Sequence, residues 1–141
     1  MSKIDVQIID ELSTRIVRVN GAVSFEEIVH FFERELEPRI ILNTIWDIQP
    51  GALQQLNLEE LKRFVAIRRT NIERRRGGNT VFVVSEVAER MLIKWYTTFA
   101  EGLEFHDVKF HMARSLEEAK AIIRASLTPE TCAFVSDNIG Q

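Results

Sequence analysis

The chain has 141 residues, 45% of them hydrophobic and 28% charged, and a formal net charge of −3. That length suits one domain able to bury about two-thirds of its unfolded surface, and the acidic balance argues against a dedicated nucleic-acid binder, whose phosphate contacts need a basic excess. A single cysteine, Cys132, excludes an internal disulfide, no apolar run approaches the ~20 residues that span a bilayer, and Met1–Asp5 lacks a basic-then-apolar signal pattern, so the expected compartment is the cytoplasm.

Residues 3–9 alternate, with Ile4, Val6 and Ile8 on one face. After a turn at Asp10–Ser13, residues 15–20 alternate again, and the two segments read as a hairpin ended by Asn20-Gly21. Ser24-Phe25-Glu26-Glu27 is a capping box that opens a helix with Phe25, Ile28, Val29, Phe32 and Leu36 at helical spacing, stopped by Pro38. Residues 39–48 are the most continuously apolar stretch of the first half, closed by Pro50-Gly51, and read as a strand buried on both faces. Asn57 is a good N-cap for a long second helix carrying Leu58, Leu61, Val65, Arg68 and Ile72, with Phe64 beside them, up to Gly77-Gly78. Residues 79–85 form a second buried strand, and Ser85 is placed to cap a third helix bearing Val87, Met91, Ile93, Trp95, Tyr96 and Phe99 and ending near Gly102. Residues 106–112 alternate as a last strand. Ser115-Leu116-Glu117-Glu118 is another capping box, and Leu116, Ala119, Ile122 and Ile123 mark the final helix before Thr128-Pro129.

The reading is therefore a single α/β domain over residues 1–127, with a mixed, mostly parallel five-stranded sheet and four helices, and a C-terminal tail at 128–141. The tail has no lysine or arginine but carries Phe134, Val135 and Ile139.

This order resembles the STAS/SpoIIAA-like family of anti-sigma-factor antagonists over roughly residues 4–126. The likeness is carried by the hairpin, Val19-Asn20-Gly21-Ala22-Val23-Ser24, Ile45-Trp46-Asp47-Ile48, Asn79–Ser85 and Arg114-Ser115-Leu116-Glu117-Glu118-Ala119. It implies a right-handed βα superhelix that binds another protein. In the best-known branch a partner kinase phosphorylates a serine near the start of the second helix. Residues 49–58 contain neither serine nor threonine, so this chain lacks that switch and would belong to a different branch.

Asp47 ends a buried strand, where α/β sheets place their sites. It would bind a partner or cation or act as a base there, or it caps the following turn through its own side chain. His106 and His111 lie on opposite faces of one strand and His30 lies on a helix, which suits ordinary histidines better than one metal site. Cys132 has no CxxC partner and reads as a buried or tail residue. Lys62, Arg63, Arg68, Arg69, Arg74, Arg75 and Arg76 make the second helix basic, either a solvated face that complements the helix dipole or a surface for an anionic partner. Trp95 and Tyr96 are adjacent and cannot both enter one narrow stripe, so one is expected to be exposed. No glycine-rich phosphate loop, nucleophile elbow, zinc pattern or kinase motif occurs.

The sequence therefore points to a non-enzymatic regulatory or protein-binding module without a cofactor, its recognition surface comprising Asp47, Gln54, Lys62, Arg69 and Arg76. The alternative is a carrier of a small apolar ligand, with a pocket near Trp46, Trp95 and Phe99. Its expected partner is another protein, and an exposed edge strand or the apolar tail would also allow a homodimer.

Overall fold

The apolar segments pair in chain order. The computed structural model describes residues 3–34, 41–73, 78–102 and 108–126. Within them β1 (Ile4–Ile9) and β2 (Thr14–Val19) are joined by a 3-10 turn at Asp10–Leu12, and α1 spans Phe25–Arg34. Then come β3 (Asn43–Ile48), α2 (Leu58–Glu73), β4 (Asn79–Val83), α3 (Val87–Gly102), β5 (Lys109–Ala113) and α4 (Leu116–Ser126). The sheet order is β1-β2-β3-β4-β5, antiparallel between β1 and β2 and parallel thereafter. Among the described residues no helix is long and apolar enough to cross a membrane.

Handedness decides the layers. Each crossover adds its strand on the same side of the last one, and right-handed crossovers that advance one way put their helices on one face. Residues of α1, α2 and α3 accordingly share a core with Val17, Val19, Trp46, Ile48 and Phe82. Among the described residues α4, which follows the last strand, is the helix that covers the opposite face, where Ala119 and Ile123 meet Ile16, Ile45 and Val81. Both faces of β3 and β4 are thus buried along their whole length. On α4's face, the β1–β2 end of the sheet keeps Asp5, Gln7 and Arg18 in solvent.

Local chemistry starts the helices. Ser24 and Glu27 bond reciprocally, Ser24 Oγ accepting the Glu27 amide at 3.1 Å and Glu27 Oε1 accepting the Ser24 amide at 3.0 Å. The Ser24 amide, with Lys3 nearby, holds the Glu27 carboxyl below the ordinary carboxylate value. Asn57 and Glu60 form the same reciprocal pair at the start of α2, and Ser115 Oγ accepts the Glu118 amide at 3.1 Å.

Several boundaries differ from the sequence reading. β3 starts at Asn43, whereas the apolar run began at 39. The cause is its partner: Ser13, in the left-handed region at φ 45°, accepts the Asn43 amide at its carbonyl and the Leu42 amide at its hydroxyl. Pairing with β2 begins only there. The N-cap of α3 is Glu86, whose carbonyl accepts the Arg90 amide, and not Ser85. β5 is Lys109–Ala113; His106, the helix ends at Pro38 and Gly77, Cys132 and the tail 128–141 lie outside the described residues. In α1 the buried residues include Phe25 and Ile28, as the spacing predicted, and also Phe31, which it did not name; the side chain of Phe32 lies outside the described residues.

At the amino ends of the parallel strands a polar ladder crosses the sheet. Asn43 Nδ2 donates to Leu12 O at 3.0 Å, and Asn43 Oδ1 accepts both the Asn79 amide and Asn79 Nδ2, at 2.8 and 3.2 Å. That leaves Asn79 Oδ1 as the acceptor for His111 Nε2 at 2.9 Å, so Nε2 carries the proton. Burial, and then Lys109, lower the His111 pKa below the ordinary imidazole value. As pH falls through about 6.5 the unfolded chain therefore takes up this proton before the folded one, and stability falls with it. Urea midpoints measured at about pH 7.5 and about pH 5.5 are expected to drop in the native sequence and to drop less in His111→Gln; equal drops would dismiss this role.

Candidate functional site

Parallel sheets offer ligands the carboxyl ends of their strands. In this chain that rim is dominated by the loop 49–57, between β3 and α2. Gly51 takes φ 83°, a conformation that disfavours a side chain on backbone grounds, since an added Cβ would meet only Gln54 Oε1 at 3.8 Å. Ala52 N–H donates to Gln49 O, Leu56 N–H to Leu53 O, and Val23 N–H to Ala52 O, which stitches the loop to the approach to α1. Ala52, Leu53 and Leu56 are buried, while Pro50, Gln54, Gln55 and Asn57 are exposed.

The strongest restraint comes from α3. Glu89 is 6% exposed, and its carboxylate accepts the Gly51 amide at 3.0 Å and the Leu53 amide at 2.7 Å. Sequence reasoning passed over Glu89. The signal was its phase: Glu89, Ile93 and Tyr96 share the inward stripe of α3, and a carboxylate there must find N–H donors.

Asp47 stands on the face opposite this loop's apolar side. Its Oδ2 accepts Arg18 Nε at 3.0 Å and its Oδ1 accepts Gln49 Nε2 at 3.1 Å. A cross-strand cation therefore holds it, in place of the turn-capping role the sequence suggested. With both oxygens engaged, Asp47 joins β2 to β3 and orients the first residue of the loop.

The other expected residues separate. Gln54 is exposed at the loop tip. Lys62 Nζ lies 3.5 Å from Glu59 and 5.6 Å from the centre of the Phe99 ring, and the Arg63 guanidinium sits 4.8 Å from the centre of the Phe25 ring. The side chain of Arg69 and the whole of Arg76 lie outside the described residues.

Beneath the loop is a small apolar cavity of about 40 Å³ between the sheet and the three helices. Trp46, Leu53, Leu56, Phe64, Phe82 and Tyr96 are among its walls. Trp46 is where the sequence placed it, but Trp95 and Phe99 do not line this cavity. Tyr96 takes the inward position, 6% exposed, and Trp95 points out at 59%. Phe99 packs at the edge of the core. Edge-to-face contacts of Trp46 with Phe64, and of Tyr96 with Phe82 and Phe110, knit this layer.

Among the described residues no group of three or more histidine, cysteine, aspartate or glutamate side chains is arranged to hold a metal. His30 is exposed on α1 and His111 belongs to the ladder. Compared with family models, curated proteins and solved structures, the chain gives no match.

Glu89→Ala strips two loop amides of their acceptor and is expected to cost about 3 kcal/mol. Glu89→Gln keeps one acceptor and should fall between it and the native protein. Urea unfolding with amide hydrogen exchange at Gly51 and Leu53 checks this; unchanged exchange in Glu89→Ala would show that the carboxylate does not hold the loop.

Proposed function

We propose that the protein is a non-enzymatic regulatory or protein-binding module of the STAS/SpoIIAA-like type, acting without a serine phosphoswitch. The observation that carries this reading is the fixed loop 49–57 on the sheet rim. Glu89 and the loop's own backbone bonds hold it, while it presents Gln54 and Gln55 outward just before α2, which carries Lys62 and Arg63. A recognition loop that is ordered before binding loses little entropy on capture, which favours affinity. The most prominent polar groups at this rim also serve the fold. Glu89 binds loop amides and Asp47 binds Arg18 and Gln49, as suits a surface that recognises rather than reacts. An initial hairpin followed by βα turns in strictly sequential strand order further supports the family resemblance.

In this reading α2 supplies charge complementarity to an acidic partner surface. Replacing Arg69 and Arg76 together with glutamate is expected to abolish partner capture in affinity pull-downs while circular dichroism stays native. Undiminished capture would remove α2 from the recognition surface.

The second reading, a carrier of a small apolar ligand, draws on the cavity under the same loop. At about 40 Å³ that cavity is well below the ~150 Å³ of an engineered cavity that accepts benzene. A carrier would therefore have to lift the loop away from Leu53 and Leu56. Native mass spectrometry of protein purified without denaturation separates the readings: a clean chain mass is expected, and a retained extra mass would favour the carrier.

A further inference from the structure

We infer that β5 and the outer stripe of α3 form a two-fold interface with a second copy of this chain. The inference is independent of the role given to loop 49–57.

Two features meet at this place. The first is a stripe on α3: Val87, Met91 and Trp95, spaced four apart, are 74%, 59% and 59% exposed. Among the described residues Leu42, before β3, is the only other exposed large hydrophobic side chain, at 38%. The second is the edge of the sheet. Among the described residues β5 has a strand neighbour on one side only, and it contains no proline. Edge strands offer unpaired N–H and C=O groups to another strand. Met112 of β5 lines one open concavity with Val87, Arg90, Met91 and Lys94, so the free edge and the stripe are continuous.

Backbone alternation sets the register. Lys109 N–H donates to Gly78 O, and Ala113 O accepts from Val84 N–H, so odd-numbered residues of β5 turn their peptide groups toward β4. Those of Phe110 and Met112 therefore point outward. An antiparallel pairing centred on His111 sets Phe110 against Met112 of a second copy, twice, for four backbone bonds. Lys109 then faces Ala113, with no lysine opposite a lysine.

The same axis suits the helix. Met91, the middle of the stripe, shares its concavity with Met112, next to the centre of β5. A two-fold axis there runs the two α3 helices antiparallel, Met91 near Met91 and Val87 near Trp95. Phe110 and Met112 lie on the α3 side of the sheet, as Phe110's ring contacts with Phe82 and Tyr96 show, so the seam joins both stripes into one apolar layer. A strand edge and an apolar stripe satisfied by one symmetry operation point to this chain as its own partner.

Sedimentation equilibrium of the full chain is expected to give twice the chain mass. Met91→Arg alters an exposed side chain that occurs twice in the interface, so it should weaken the dimer roughly a hundredfold or more while the circular dichroism stays native. In a Cys132→Ser background, Met91→Cys should be joined between chains by a short bis-maleimide, whereas Glu117→Cys on α4 should not. A monomer at all concentrations overturns the inference and leaves the stripe to the chain's own tail or to an unrelated protein. A dimer that survives Met91→Arg, or one joined equally well through Glu117→Cys, overturns it too.

Discussion

Two central strands with no solvent face constrain everything else in this domain. β3 and β4 are buried throughout, so both sides of the sheet must be covered. Strictly sequential strand order and right-handed crossovers commit α1, α2 and α3 to one side. Among the described residues the opposite side falls to α4, whose contacts reach β3, β4 and β5. The result is a large aromatic core under three helices, a smaller aliphatic core under one, and a polar β1–β2 margin on α4's face.

The buried polar groups work within this frame. Among the described residues every buried side-chain nitrogen or oxygen has a hydrogen-bond partner. Asn43, Asn79 and His111 tie the strands together at their amino ends, and Asp47 ties β2 to β3 at the other. Glu89 crosses between elements and binds the loop that its own backbone bonds and buried Ala52, Leu53 and Leu56 also shape. Leaving any of these groups unpaired in the interior costs more than the bonds themselves contribute. They therefore act as specificity devices for strand register and loop position.

The third helix shows how one element serves two surroundings. Glu89, Ile93 and Tyr96 face inward, while Val87, Met91 and Trp95 face out, Val87 and Met91 beside Met112 of β5. The outward stripe is not needed to complete the core, which already closes over Phe82 with Tyr96 and Phe110. It lies beside β5, the last strand of the sheet among the described residues.

The sequence by itself determined the element order, the parallel sheet and the capped helix starts. Those features rest on local signals: period-two and helical spacing, the largely apolar, β-branched-rich stretches 39–48 and 79–85, and the Ser24, Asn57 and Ser115 caps. It also foretold that Trp95 and Tyr96 would part, because adjacent residues cannot share one narrow stripe. Which of the two faces out was left to the tertiary structure, since phase on a helix becomes orientation only when the sheet fixes the inward side. Strand ends were likewise set by partners, as Ser13 does for β3. The roles of Asp47 and Glu89 depend on Arg18 and on the Gly51 and Leu53 amides, groups 29 to 38 positions away in the chain. No local pattern encodes contacts of that range; only folding brings them together.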